Sequence, residues 1–257
     1  MGPHRLLTAE RERRILQLLK GQRVVSVTEL SRELGVSVAT VRRDIQGLDE
    51  RGLLVRVRGG AMMVGDSRAE PLFSDKEGKQ TAEKERIAHL ALSLVEDHDS
   101  IYLDGGSTVL ALARLLDERN DLTIVTNSLM AAAELMQSRH RVILVGGEFR
   151  AISRTLVGPL TVPIISSLNV DKAFMGTIGF AVADGLTTTD PSEAFTKTEI
   201  MKRSRRVILL ADHTKLGTCS LARSEGSIDL LITDRIDPEL HAQLRELEIE
   251  VYTASNE

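Results

Sequence analysis

"SVTELSRELGVSVATVRRDIQGLDERG", residues 26–52, carries two apolar stripes separated by a glycine. Leu30 and Leu34 stand four apart before Gly35, and Val38, Val41, Ile45 and Leu48 recur at helical spacing after Ser37. That spacing places each set on one face of a helix. Ser37 brings a side-chain oxygen suited to capping the second helix, and Gly35 breaks the chain between them. Two helices joined by a tight turn containing glycine predict a helix-turn-helix.

The flanks extend the pattern. Between Thr8 and Lys20, Ile15, Leu16, Leu18 and Leu19 lie on a charged background, which predicts an amphipathic helix started by Thr8 and ended at Gly21. "LLVRVRGGAMM", residues 53–63, alternates apolar and basic residues, and Gly59-Gly60 can turn the chain, so it reads as a β-wing.

Arg42 and Arg43 cannot join the apolar face that Val41 and Ile45 occupy, so they project outward. Arginine suits guanine O6/N7 and phosphate, while Ser37 and Thr40 near the helix start can donate to phosphates or base edges. Arg56 and Arg58, on one face of the wing, could reach the DNA backbone or minor groove. The plain alternative is a solvated, charge-rich helix face. Charge segregation weighs against it: residues 1–60 hold 12 Lys+Arg and 7 Asp+Glu, net +5, whereas the rest hold 21 and 30, net −9. Asp44 and Asp49 are expected to orient neighbouring arginines through i, i+4-type pairs instead of touching DNA. Arg51 belongs to the turn before the wing and is peripheral.

A chain of 257 residues with 42% hydrophobic content supports one small and one larger domain. The expected boundaries are a winged helix-turn-helix over 1–63, a linker over 64–82 and an α/β effector-sensing and oligomerisation domain over 83–257. The linker, "VGDSRAEPLFSDKEGKQTA", is polar, contains Pro71 and Gly78 and lacks periodicity. Beyond it, "SIYLDG", "LTIVTN", "RVILVGG", "KAFMGTIG", "RVILLAD" and "DLLITD" alternate with helical stretches. This alternation predicts a parallel sheet covered on both faces.

Cys219, the single cysteine, cannot form an internal disulfide, and the opening residues lack the apolar core of a signal peptide. No apolar run approaches the roughly 20 residues of a membrane span. A cytoplasmic protein without a membrane partner is expected. The six histidines lack paired ligand spacing, so no metal is expected. No GxGxxG or GxxxxGK[ST] occurs, so no nucleotide cofactor is expected either.

In "YLDGGSTVLALARLL" a strand ends at Asp104, and Gly105, Gly106, Ser107 and Thr108 lead into a helix. Exposed backbone N–H groups with two hydroxyls beside them suit a phosphate; the bland reading is a Gly-Gly turn with Ser107 as an ordinary cap. Thr126-Asn127, Gly146-Gly147, Gly176-Thr177 and the 212–215 run ending in Lys215 sit at other strand ends, where open parallel sheets gather ligands. Glu193 also belongs to the candidate effector set. Arg154 could bind phosphate or pair with an acidic neighbour at a subunit contact. Lys197, Lys202 and Arg203 are read as a solvated helix face, with Lys197 near enough to Glu193 to pair, and Asp190 as a cap before Pro191.

"RRILQLL" (13–19) and the run from Val27 to Ala61, with S-x-x-T-V-R-R-D followed by R-x-x-G-G-A, closely resemble the winged helix-turn-helix of the DeoR family of bacterial transcriptional regulators. The resemblance implies operator DNA binding by Ser37, Thr40, Arg42 and Arg43, with wing support from Arg56 and Arg58. Residues 83 to 235 are similar to the DeoR-type sensor domain. "DGGST", "VTNS" and "DHTK" look like loops of ribose-5-phosphate isomerases, whose fold that sensor shares. Those isomerases carry Asp-Gly-Ala-Asp where this chain has Met175-Gly176-Thr177-Ile178, so the acids that would move a proton are missing. The incomplete acid set points to binding without turnover, so the expectation is no enzyme but a repressor of a sugar-utilisation operon, modulated by a phosphorylated sugar. One small winged module reads DNA weakly, so a homodimer or homotetramer is expected. The rival is a sugar-phosphate isomerase or deaminase with an appended DNA-binding module.

Overall fold

Ile15 and Leu19 turn one face of α1 (Thr8–Gln22) onto a core shared with Leu30, Leu34, Val41, Ile45 and Leu48. The helix runs through Gly21 instead of stopping there; a glycine in the last turn weakens a helix but does not end it. α2 (Val27–Leu34) opens on a capping box between Ser26 and Glu29, and Gly35 closes it at φ +63°. α3 (Val38–Glu50) starts where Ser37 Oγ accepts from Thr40 N at 3.2 Å. β1 (Val24–Ser26), β2 (Leu54–Val57) and β3 (Gly60–Met63) form an antiparallel sheet in the order β1-β3-β2. Three-residue β1 is too short to show alternation and was not expected. A Cβ on Gly60 would stand 2.4 Å from Val25 O, so glycine is what lets the wing hairpin close on β1.

This computed structural model describes residues 8–22, 24–51, 53–57, 59–63 and 70–254. Arg58 and residues 64–69 of the expected linker lie outside the described residues. The chain divides into two units, Met1–Ala69 and Glu70–Glu257.

The second unit begins inside the stretch expected to be linker. Phe73, 1% exposed, enters the core from α4 (Phe73–Glu77), so residues 70–82 belong to the α/β unit. One aromatic anchor outweighs the polar composition around it. From there run α5 (Thr81–Leu92), β4 (Ser100–Leu103), α6 (Ser107–Ala113), β5 (Thr123–Thr126), α7 (Leu129–Glu134), β6 (Arg141–Leu144), β7 (Glu148–Arg150), β8 (Thr155–Val157) and α8 (Val162–Ile165). They are followed by β9 (Val170–Met175), β10 (Gly179–Ala181), β11 (Gly185–Thr188), α9 (Pro191–Met201), β12 (Ser204–Leu210), β13 (Ala222–Arg223), β14 (Leu230–Thr233), α10 (Pro238–Glu246) and β15 (Glu250–Thr253).

Seven strands pair in parallel in the order β15-β14-β12-β9-β4-β5-β6, the α/β arrangement expected. Successive residues point to opposite faces: Ile101 and Leu103 join one apolar layer with Ile87 and Leu112, while Tyr102 joins the other with Ile165 and Ile200. The β7–β8 hairpin and the small β10-β11-β13 sheet add to this frame. From β4 the chain steps outward through β5 and β6; from β9 it steps the other way through β12, β14 and β15. β4 and β9 are therefore neighbours at a reversal of strand order, and a crevice opens at their carboxyl ends. No helix among the described residues is long and apolar enough to cross a membrane.

Candidate functional site

At that reversal lies a cavity of about 470 Å³. Its floor is Gly105–Thr108 after β4 and Gly176–Ile178 after β9; Asp212, Thr214 and Lys215 follow β12, and Glu193 and Lys197 come from α9. The remaining wall is the segment carrying Pro71, Lys76, Lys79, Gln80 and Lys84. Glycine is required where the floor closes: a Cβ on Gly176 would stand 2.5 Å from Gly105 O, and one on Gly105 would stand 2.3 Å from Thr155 Cγ2. Gly106, not Ser107, occupies the cap position of α6, so the Ser107 hydroxyl is not spent on capping. The first N–H groups of that helix have no acceptor within it.

Behind the floor runs a chain of buried charges. Lys197 is 2% exposed; its ammonium donates to Asp104 and to Gly176 O, the latter at 2.9 Å, and stands 3.9 Å from Glu193. Asp104 also accepts from Gly176 N at 3.0 Å, which ties β4's end to β9's. Arg150 lies 3.3 Å from Glu193 and 2.6 Å from Glu70, and Lys76 donates to Glu70 at 2.7 Å. Burial opposes the Lys197 charge, but Asp104 and Glu193 outweigh it and hold the ammonium above the ordinary lysine value. Burial pushes the Glu193 carboxyl up despite Lys197, with Glu70 and Asp104 adding to the rise. Lys215 and Lys84 are both held below the ordinary lysine value, chiefly by burial and against the pull of Asp212.

Of the residues proposed from sequence, Gly105, Gly106, Ser107, Thr108, Glu193 and Lys215 line the cavity. Asp104 sits beneath it as the partner of Lys197. Thr126, Asn127, Gly146 and Gly147 do not line it. Thr126 Oγ1 donates to Leu103 O at 2.7 Å, and Asn127 exchanges bonds with Leu156. A Cβ on Gly147 would crowd Val157 and Thr161 at 2.9 to 3.0 Å. The ends of β5 and β6 are polar, but the β7–β8 hairpin packs against them through Leu156 and Val157.

Lys197 corrects a second expectation, for it is buried and not on a solvated face; Lys202 and Arg203 are exposed. The Arg154 guanidinium lies 5.3 Å over the Phe73 ring and donates to Met130 Sδ. Asp190 caps α9 by accepting from Glu193 N at 3.0 Å, as expected. Lys76 and Lys79 were missed. Their only trace in the sequence is a K-x-x-K spacing three residues after a lone phenylalanine.

In the first unit Arg42, Arg43 and Arg56 are exposed, and Arg42 and Arg56 border one concavity with Val27, Gly59 and Gly60. Ser37 and Thr40 hydroxyls lie 2.9 Å apart and bond to each other. Asp44 is 5% exposed and faces inward, accepting from Arg11 of α1 at 2.8 and 2.9 Å. Asp49 accepts from the backbone N of Arg56 at 3.0 Å. The two acids thus bind α3 to α1 and to the wing, and the expected pairing along α3 itself is replaced by these longer reaches. Arg51 pairs with Glu12 at 2.7 Å, away from α3's exposed arginines.

Comparison with known proteins places both units. A family model described as DeoR-like helix-turn-helix domain matches residues 11–66, and one described as DeoR C terminal sensor domain matches residues 79–235. The HTH-type transcriptional regulator GolR of Listeria innocua is 37% identical over 95% of this chain and 98% of its own. The glycerol-3-phosphate regulon repressor of Escherichia coli is 35% identical over 89% of this chain and 92% of its own. Among solved structures, ribose 5-phosphate isomerase A of Methanocaldococcus jannaschii aligns with 52% of this chain and 53% of its own at TM-score 0.39 and 20% identity, too distant to bear on chemistry.

Proposed function

We propose that this chain, which belongs to the DeoR family of helix-turn-helix transcriptional regulators, represses a sugar-utilisation operon and loosens its hold on the operator when a phosphorylated sugar fills the cavity. The observation that carries this reading is the convergence of Lys76, Lys79 and Lys215 with the Gly105–Thr108 loop on one 470 Å³ space. A phosphate brings close to two negative charges and three acceptor oxygens; the loop N–H groups, two hydroxyls and lysines supply matching donors. Lys215 has lost hydration on burial, and an anion restores what it lost. Thr177, Thr214 and Glu193 are left to meet sugar hydroxyls. The E. coli relative's name refers to glycerol-3-phosphate, a small hydroxylated phosphate of the same chemical kind.

At the DNA, Arg42 and Arg43 read base edges from α3, Ser37 and Thr40 grip phosphates, and Arg56 with Arg58 steadies the wing. One such module reads few base pairs, so a homodimer or homotetramer on repeated half-sites supplies the rest. For the effector to change operator occupancy it must bind the DNA-incompetent arrangement more tightly.

A thermal-shift comparison of sugar and polyol phosphates with their unphosphorylated parents tests the reading. A phosphate ester at a hundred times its Kd should add about 2.7 kcal/mol of stability, and its parent none. Equal behaviour of ester and parent rejects the phosphate site.

A further inference from the structure

We propose that Lys76 belongs to the effector site and that the effector's anion shares its ammonium with Glu70, so that filling the cavity loosens the point where the chain enters the α/β unit. This rests on the phosphorylated-effector reading above.

Glu70 is the first residue of the second unit and is only 4% exposed, an unusual place for a glutamate. It stays charged there through three partners: Lys76 at 2.7 Å, Arg150 at 2.6 Å and the Thr189 hydroxyl at 2.7 Å. Burial alone would raise its carboxyl, yet the three together hold it below the ordinary value. Of these partners Lys76 lines the cavity, and Arg150 and Thr189 are not among its lining residues. An incoming anion therefore meets Glu70's support at Lys76.

The backbone under Lys76 is fixed. Phe73 N donates to Ile152 O at 3.0 Å with its ring in the core, and the Lys84 ammonium donates to the carbonyls of Lys76 and Lys79. What an anion can redirect is the Lys76 side chain. As its charge is drawn toward the cavity, Glu70 is left less compensated in a buried place, which disfavours the buried arrangement. The adjacent residues are those leading to the DNA-binding unit, so the relief falls on that junction. Linkage makes the effect reciprocal: whatever the anion does to Glu70's hold, Glu70 does to the anion's affinity.

The test uses the full chain, inorganic phosphate as probe and a duplex selected by the protein from a random pool. Wild type should bind phosphate and lose DNA affinity as it does so. Glu70→Gln should bind phosphate about fivefold tighter or more, and its DNA affinity without phosphate should already lie near the phosphate-loaded wild-type value. Lys76→Met should bind phosphate more weakly and show DNA affinity that no longer responds to it. Glu70→Asp keeps the charge and should behave as wild type. Unchanged phosphate affinity and DNA response in Glu70→Gln overturn the coupling while leaving the phosphate site standing. Tightening by Glu70→Asp equal to that by Glu70→Gln also overturns it, because altered packing would then be the cause. Failure of the wild-type chain to bind phosphate or any phosphate ester overturns the effector reading itself.

Discussion

Arg42 and Arg43 stand in water on α3, whereas Lys76, Lys197 and Lys215 are folded into the α/β unit among carboxylates. An exposed arginine costs the fold nothing, is screened by salt, and gains its partner only when a polyanion arrives. Lys197 has already given up hydration and holds its charge because Asp104 and Glu193 compensate it. The first kind of site can be altered without touching the fold beneath it. In the second, ligand binding and stability draw on the same few groups, and that sharing makes a sensor possible.

The sharpest way to break this contrast is Lys197→Met. It strands Asp104 and Glu193 without their shared cation, and the α/β unit should lose about 3–5 kcal/mol in urea unfolding. A loss near zero would mean that the buried charges are not acting as one set. Arg42→Ala and Arg43→Ala should each weaken binding to the selected duplex by about tenfold to a hundredfold and relax base preference, with thermal stability unchanged. Arg56→Ala should instead lower the slope of log K against log salt by about 0.9; full retention of the slope would remove the wing from the phosphate contacts.

Asp44→Asn should cost the first unit about 1–2 kcal/mol by depriving Arg11 of its charged acceptor. Calorimetry would read that cost, and DNA binding should fall with it although Asp44 faces inward. The smallest effect is on pH dependence. Burial holds the Lys215 ammonium below the ordinary 10.5, so raising pH through that lowered value removes its charge. Phosphate affinity should then decline earlier on the alkaline side than an ordinary lysine would cause, and Lys215→Arg should abolish the early decline. An identical alkaline profile for the two proteins would take Lys215 out of the anion site.

The first unit was legible because its signals are local. A capping serine, a glycine at φ +63° and stripes at i, i+4 all fall within the span from Ser26 to Gly52, and each specifies its neighbours' conformation. The parallel sheet was legible for a related reason, since strands buried on both faces read as unbroken apolar runs. What escaped depends on distant partners. Asp44 reaches Arg11 across 33 positions and Lys197 reaches Asp104 across 93. Lys76 and Lys79 looked like linker because Phe73's place in a core is decided by helices far along the chain. Four strand-end residues were assigned to the site because nothing local announces that the β7–β8 hairpin will pack against those strand ends.

The meeting of Gly105 and Gly176 has a consequence for genetics. A codon change at Gly176 puts a side chain against the backbone oxygen of Gly105, and one at Gly105 puts it against the Thr155 side chain. Such alleles should spoil the cavity floor while both apolar layers and the DNA-binding unit remain intact. In a screen for alleles whose product no longer binds a phosphate ester, these two codons should form a hot spot.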